Sequence, residues 1–183
     1  MRITGGQARG IIIRAPKNMR TRPTSDKVRE ALFDTLGARV ADRNVLDLFA
    51  GSGALAIEAL SRGAKQAALV ERDPVAARLI HENLTRGGFS ERAEVFVTDF
   101  RDAIRIFGRT ARQFDLVFID PPYQSDLLDQ ITLVLEKHRV VAPRAIVVLE
   151  HFKKIEPPPA VSEIPLSRTR FYGQTALSYY SFV

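Results

Sequence analysis

"NVLDLFAGSGALAIEALSRG", residues 44–63, joins an apolar run, a glycine-containing turn and a helical pattern without interruption. The run NVLDLF is typical of a buried β-strand, and apolar residues recur at helical spacing after Gly53. Gly51 and Gly53 mark the tight turn between the two patterns. The stretch therefore predicts a strand that passes directly into a helix, which is the start of a βαβ unit.

The same alternation continues along the chain. Further β-rich runs at 67–71, 93–98, 114–120 and 145–151 alternate with helical patterns at 74–88, 101–109 and 125–138. Such alternation predicts parallel strands connected by helices that cover both faces of the sheet. At the end, residues 161–173 and 174–183 meet at Gly173 with no helix between them. The predicted fold is a Rossmann-like, doubly wound α/β domain with a mostly parallel sheet and an antiparallel C-terminal hairpin strand.

Basic residues are concentrated at the N-terminus. The net charge is +6, and residues 1–25 contain no acid. The remaining 158 residues carry 21 basic and 21 acidic side chains. A basic arm attracts a polyanion, although a solvated tail would have the same composition. We divide the chain into a basic arm, 1–24, and a domain, 25–183, and we assign nucleic-acid binding to the arm. Its basic residues are Arg2, Arg9, Arg14, Lys17, Arg20 and Arg22.

Several classes of protein are excluded by composition. There is no cysteine, which rules out disulfides and thiolate metal sites, and the three histidines lack metal-ligand spacing, so we predict no metal. We interpret His81 and His151 as surface or helix residues and not as ligands. No apolar stretch approaches the roughly 20 residues that span a bilayer, and the N-terminus lacks the apolar core of a signal peptide. We expect no membrane partner and a cytoplasmic location.

Residues suited to an adenosine occur at three successive strand ends, where doubly wound sheets bind their ligands. Gly51 and Gly53 permit the close approach of a ligand after the first strand. Glu71 ends the second strand, where a carboxylate accepts hydrogen bonds from ribose hydroxyls. Asp99 and Phe100 follow the third, placed to meet an adenine amino group and to cover its ring. Together they predict an adenosine pocket.

Two kinds of adenosine ligand remain in competition. "GSGALA", residues 51–56, satisfies the GxGxxA dinucleotide fingerprint and would suit a nicotinamide-dependent oxidoreductase. Asp47, however, would repel a pyrophosphate and suits an ammonium or sulfonium. The sequence from Asp47 to Gly53 resembles the first motif of class I S-adenosylmethionine-dependent methyltransferases. The resemblance implies S-adenosylmethionine as cofactor, with these binding residues: Asp47, Phe49, Gly51, Gly53, Glu71, Asp99 and Phe100.

The fourth strand ends on "FIDPPY", residues 118–123. Prolines fix φ, remove N–H donors and restrain the preceding residue to an extended conformation, although they would also simply end a strand. The tetrapeptide resembles the (D/N)PP(Y/F) motif of methyltransferases that modify exocyclic amines of nucleobases. It implies that Asp120 and the Pro121 carbonyl accept the amine hydrogens and that Tyr123 stacks on a flipped base. The implied catalytic residues are Asp120, Pro121, Pro122 and Tyr123.

The whole chain resembles the RsmD-type small-subunit ribosomal RNA guanine-N2 methyltransferases. The similar segments are MRITGGQARG, RPTSDKVREALFDTL, LDLFAGSGALAIEALSRGA, FIDPPY and YGQTALSYY. The resemblance implies methyl transfer to the N2 amine of one guanine, with ribosomal RNA or an assembling ribosomal particle as partner and a monomeric enzyme. A DNA adenine-N6 or cytosine-N4 methyltransferase would use the same motif, but no segment here is long enough for an added target-recognition domain. A non-catalytic RNA-binding domain is a further alternative.

Overall fold

A computed structural model describes residues 1–15, 26–122 and 127–182. The described helices are α1 (Asp26–Leu36), α2 (Ala54–Ser61), α3 (Pro74–Gly87), α4 (Phe100–Arg109) and α5 (Leu127–His138). The first five strands are β1 (Asn44–Asp47), β2 (Gln66–Glu71), β3 (Ala93–Val97), β4 (Phe114–Ile119) and β5 (Val141–Phe152). The last three are β6 (Ala160–Val161), β7 (Ile164–Tyr172) and β8 (Thr175–Tyr180).

The eight strands form one sheet in the order β3-β2-β1-β4-β5-β8-β7-β6. β1 to β5 run parallel, whereas β6, β7 and β8 are antiparallel to their neighbours. The strand order changes direction between β1 and β4, which is the switch point at which doubly wound sheets bind ligands. The predicted fold class is confirmed, including the antiparallel C-terminal hairpin.

The sheet separates two apolar cores. Buried residues of α1, α2 and α3 pack against one face, and those of α4 and α5 pack against the other. Val45 and Leu46 on β1 show the consequence, because neighbouring side chains enter opposite cores and both are fully buried. Central strands covered on both faces therefore carry the continuous apolar runs seen in the sequence.

The first fifteen residues do not form a free tail. Arg2 and Ile12 form an antiparallel bridge, so this segment folds back as a hairpin. Ile3 and Ile13 are buried in the core beside α1 and α2. The described part of the basic segment is thus packed on the domain, which the interpretation as a solvated tail did not anticipate. The boundary between residues 24 and 25 lies outside the described residues and stays a prediction.

β5 differs from its prediction in length and in one residue's environment. It begins at Val141, and its register with β4 shifts between Phe114 and Leu116. Such a shift interrupts the alternation of buried and exposed residues, so the sequence pattern did not indicate the first residues of β5. His151, which the sequence suggested to be a surface or helix residue, is buried on β5. Its ring nitrogens lie 2.8 Å from Ser178 Oγ and 3.0 Å from the Phe152 carbonyl. Among the described helices, none is long and apolar enough to cross a bilayer.

Candidate active site

The sheet register brings the predicted residues of β1, β2 and β4 to the same edge. Asp47 pairs with Leu69 on β2 and with Phe118 on β4. Glu71 and Asp120 each lie two residues beyond those partners, so they flank the turn that follows β1. The ladder continues into this turn, since the Leu48 N–H donates to the Phe118 carbonyl at 3.0 Å. The switch point therefore carries the glycine turn with one carboxylate on either side.

The glycine turn has a conformation that favours glycine at two positions. Gly51 and Gly53 have φ of 54° and 77°, in the left-handed region. A Cβ on Gly53 would also lie 3.2 Å from Leu69 Cδ2 and 3.3 Å from Ile80 Cγ2, so packing adds to the conformational reason. The turn delivers the chain directly into α2 at Ala54.

Asp47 is a buried carboxylate with an unsatisfied oxygen. Its Oδ2 accepts from the Ala56 N–H at 3.3 Å, whereas Oδ1 is buried without a hydrogen-bond partner in the described part of the chain. Burial, with a smaller effect of the Glu71 charge, raises the pKa of Asp47 from 3.8 to about 7. A buried acid in this state suits a cationic ligand group, because a positive charge would favour the ionised form.

Glu71 is held by backbone donors on both of its oxygens. Oε2 accepts from the Gly51 N–H at 2.8 Å, and Oε1 accepts from the Asp73 N–H at 2.8 Å. The first bond ties the end of β2 to the glycine turn. Each carboxylate oxygen keeps a further lone pair, so Glu71 can still accept from ligand hydroxyls.

Asp99 and Phe100 begin α4 at the end of β3. Asp99 caps the helix by accepting from the Arg101 N–H at 2.9 Å, and it also pairs with the Arg101 guanidinium at 3.1 Å. Phe100 is only 5% exposed, and its ring lies 5.4 Å from that of Phe49. The Arg101 guanidinium covers the Phe100 ring at 4.5 Å, a feature the sequence analysis missed. Contact between Phe100 and an adenine stays a prediction.

The predicted catalytic motif starts where β4 ends. β4 ends at Ile119, and Asp120 follows at once with an intermediate exposure. Pro121 is buried and Pro122 is partly exposed. Tyr123 lies outside the described residues. The structure thus brings Asp120 beside the glycine turn.

Three of the six predicted RNA-binding cations are described. Arg2, Arg9 and Arg14 are exposed, and Arg14 makes a 3.2 Å ion pair with Glu82 on α3. The other three, Lys17, Arg20 and Arg22, fall outside the described residues.

Asn83 on α3 connects the N-terminal segment to the glycine turn. Its Nδ2 donates to the Ser52 carbonyl and to the Arg14 carbonyl, each at 2.9 Å, and its Oδ1 accepts from the Arg14 N–H at 2.9 Å. Asn83 is buried, so these bonds are well protected from water. Sequence reasoning missed it, because an asparagine between Glu82 and Leu84 resembles any polar helix position.

Glu58 on α2 holds the tip of the N-terminal hairpin. Its carboxylate accepts from the Thr4 N–H at 2.9 Å, the Thr4 hydroxyl at 2.7 Å and the Gly5 N–H at 2.8 Å. It also pairs with Arg29 at 3.3 Å and with Arg62 at 2.9 Å. Burial opposes ionisation, but the Thr4 and Arg62 hydrogen bonds and the Arg29 charge outweigh it and lower the pKa of Glu58. An acid within the apolar pattern ALAIEALS was the available signal. The described residues contain no group of side chains arranged to hold a metal ion.

Comparison with known proteins gives a family and close structural relatives. Residues 1–181 match the family model described as "Conserved hypothetical protein 95". The chain is 35% identical to the ribosomal RNA small subunit methyltransferase D of Escherichia coli, over 98% of this chain and 89% of that protein. It is 36% identical to the protein of the same name from Haemophilus influenzae, over 82% of this chain and 78% of that protein.

A solved structure supports the same relationship. A hypothetical protein of Thermus thermophilus superimposes with a TM-score of 0.84 at 34% identity, covering 100% of this chain and 99% of that chain. The match therefore includes the N-terminal hairpin as well as the sheet.

Proposed function

The chain belongs to the conserved hypothetical protein 95 family, and from that membership we propose that it transfers a methyl group from S-adenosylmethionine to the exocyclic N2 amine of a guanine in small-subunit ribosomal RNA. The protein is an S-adenosylmethionine-dependent ribosomal RNA methyltransferase. The matched regions include most of this chain and most of each relative, so the activity concerns the whole protein and not a shared fragment.

The position of Asp120 supports the proposed methyl transfer to an amine. Asp120 stands immediately after β4, at the switch point beside the glycine turn of β1. A nucleobase amine is a poor nucleophile because its lone pair is delocalised into the ring. Acceptors that bind both amine hydrogens localise that lone pair, and preorganised acceptors are the most effective.

Each residue of the motif has a role in this proposal. Asp120 accepts one amine hydrogen and the Pro121 carbonyl accepts the other. Pro122 stiffens the turn and Tyr123 stacks on the flipped base. Asp120 then holds or passes on the proton that becomes acidic as the nitrogen acquires its methyl group.

The cofactor residues lie at the ends of the first three strands. S-adenosylmethionine would supply an electrophilic methyl group on a positively charged sulfur, and breaking of the sulfur–methyl bond would leave S-adenosylhomocysteine. The buried, unsatisfied oxygen of Asp47 fits a cationic group, which supports this ligand over a dinucleotide. Glu71 binds the ribose, and Asp99 binds the adenine amine. Phe49, Gly51, Gly53 and Phe100 complete the pocket.

The RNA partner is ribosomal RNA, free or within an assembling particle. The basic residues of the N-terminal segment contact its phosphates, with Arg2, Arg9 and Arg14 on the described hairpin. We assign the enzyme to the cytoplasm and expect it to act as a monomer, because each chain carries all the proposed site residues.

A direct assay tests the proposed reaction. The protein is incubated with methyl-labelled S-adenosylmethionine and, separately, with small-subunit ribosomal RNA and with double-stranded DNA, and the labelled nucleoside is identified. We expect N2-methylguanosine from the RNA and no labelled base from the DNA. Label on adenine N6 or cytosine N4 of DNA would favour the alternative activity, and no label on either would refute methyl transfer.

A further inference from the structure

The turn between β7 and β8 lies at the carboxyl ends of the parallel strands, where Asp120 also lies. The β4–β5 register places Asp120 level with Glu150 on β5. Glu150 pairs with Leu177 on β8, and Leu177 pairs with Arg170 on β7. Three strand spacings therefore separate Asp120 from Arg170, a distance of roughly 14 Å across the sheet.

The outer edge of β7 is open near this end. β6 pairs only with Ile164 and Pro165, so in the described part of the chain no strand covers β7 beyond them. A long open edge is uncommon unless charged side chains guard it or a partner covers it. Arg168 and Arg170 are exposed on this edge.

The edge is basic and carries an exposed aromatic ring. Arg168 and Arg170 make no ion pair with a described residue, and residues 164–183 contain no acid. Phe171, between them and the turn at Gly173, is 65% exposed. The tip lies beside the backbone of another basic residue, since the Lys153 backbone N–H donates to the Gln174 carbonyl at 2.9 Å.

We propose that the exposed edge of β7, formed by Arg168, Arg170 and Phe171, is a second RNA-contact surface. This inference rests on the proposed function, because the RNA that binds at the proposed active site would also contact β7, on the side of the sheet opposite β3. The two guanidiniums bind phosphates, and Phe171 stacks on an unpaired base near the target guanine. Because side chains alternate along a strand, the arginines and Phe171 flank the edge from opposite faces, so RNA that follows the edge reaches both.

Charge favours RNA over a second copy of this chain as the occupant. Antiparallel pairing of two β7 edges would bring arginines of both copies together, and like charges on neighbouring strands destabilise pairing. A polyanion instead neutralises both arginines. RNA binding would also explain why the exposed ring of Phe171 lies beside two arginines.

Charge-neutral variants test this surface. Arg168→Gln/Arg170→Gln is compared with a control, Arg109→Gln/Lys137→Gln, which removes two exposed cations near the C-terminal ends of α4 and α5. Binding of small-subunit ribosomal RNA is measured over a salt series, together with the melting temperature and the rate of methyl transfer. We expect the magnitude of the slope of log K against log salt to fall by about 0.7–0.9 per removed phosphate contact in the β7 variant, and not in the control.

Phe171→Ser probes stacking separately. Because the ring is exposed, the substitution should leave the melting temperature unchanged while weakening RNA binding about tenfold with an unaltered salt slope. A β7 variant and a Phe171→Ser variant that both match the control would overturn the second surface. A dimer that the β7 variant converts to monomer, without a change in salt slope, would likewise refute it and assign the edge to self-association.

Loss of the second RNA-contact surface and absence of methyl transfer would give different results. If the unaltered protein methylates ribosomal RNA and the β7 variants do so with unchanged affinity, only the second surface is refuted. If the unaltered protein transfers no methyl group to ribosomal RNA, the proposed function fails, and the surface with it.

Discussion

Asp47 combines a cost in stability with a proposed role in cofactor binding. The carboxylate is fully enclosed and one oxygen has no hydrogen-bond partner among the described residues. A buried acid in this state is held against its preference for water, and a cationic ligand would relieve that cost. Asp47 therefore makes the ligand-free protein less stable than a neutral isostere would.

Replacing Asp47 by asparagine should raise the free energy of unfolding and weaken cofactor binding. The pKa of Asp47 is about 7 in the folded protein against 3.8 ordinarily, so the folded state retains a proton that the unfolded state loses between these values. The free energy of unfolding therefore falls as pH rises through this window, by up to about 1.4 kcal/mol per pH unit. Asp47→Asn lacks this loss. It should gain stability over the unaltered protein between about pH 5 and about pH 8, and bind S-adenosylhomocysteine more weakly.

Urea unfolding at the two pH values, without ligand, checks the first effect, and calorimetric titration checks the second. A stability difference that is the same at both pH values would contradict the raised pKa. Unchanged affinity would remove Asp47 from the cofactor site.

At the scale of elements, Glu58 on α2 is one of several side chains that attach the N-terminal hairpin to the domain. Glu58 receives three hydrogen bonds from the hairpin and pairs with Arg29 on α1, which is fully buried. Arg29 also donates to the Arg2 carbonyl. One side chain thus joins the hairpin, α1 and α2, far apart in sequence.

Glu58→Ala should destabilise the fold strongly, because it leaves the buried Arg29 without its closest buried acid. We expect a loss of about 3 kcal/mol in the free energy of unfolding near neutral pH. The loss should shrink as pH falls below about 4.5, because the unfolded chain then takes up a proton at Glu58 that the lowered pKa resists in the folded state. Glu82→Ala removes an exposed pair and should cost less than about 1 kcal/mol. Equal losses in the two variants would argue against this attachment.

Asn83 should couple the hairpin to cofactor binding. Asn83→Ala removes the bonds to the Ser52 and Arg14 carbonyls, so the glycine turn loses a support on its outer side. We expect S-adenosylhomocysteine to bind several-fold more weakly, with a larger change in KM for the cofactor than in kcat. Glu82→Gln on the same helix is the control. A variant with normal cofactor affinity would limit Asn83 to fold stability.

At the scale of the whole molecule, we propose that RNA binding is divided between two regions of positive charge. The first is the N-terminal hairpin and the second is the edge of β7, on different parts of the sheet's surroundings. Deleting residues 1–20 would test the first poorly, because Ile3 and Ile13 would leave the core with them. Single charges are better targets.

Neutralising both regions should have additive effects on the salt dependence. Arg2→Gln/Arg9→Gln alone should lower the salt slope by about 0.7–0.9 per lost contact, and combining it with Arg168→Gln/Arg170→Gln should roughly double the decrease. Filter binding of ribosomal RNA across ionic strengths measures this. If the combined variant had the same salt slope as one of the two double variants, the two regions would contact the same phosphates or one of them would contact none.

The fold class was predictable because most strands and helices of the parallel sheet carry their own local signal. The glycine turn, Asp47 and the prolines after Asp120 could be placed at one edge, since parallel strands align their carboxyl ends. The hairpin of residues 1–13 could not be foreseen, because its partner Glu58 is more than fifty residues away. Asn83 and His151 were missed for the same reason: burial by distant elements leaves no periodic signal.

Mass-spectrometric mapping of small-subunit ribosomal RNA from cells tests most directly whether the protein methylates a guanine amine and whether Asp120 is required. Three strains are compared: one with the intact gene, one without it, and one without it that expresses Asp120→Ala. One N2-methylguanosine should be present in the first strain and absent from the other two, although the variant protein still binds S-adenosylhomocysteine. The same methylation in all three strains would show that another enzyme installs it, and its restoration by Asp120→Ala would refute the role of Asp120.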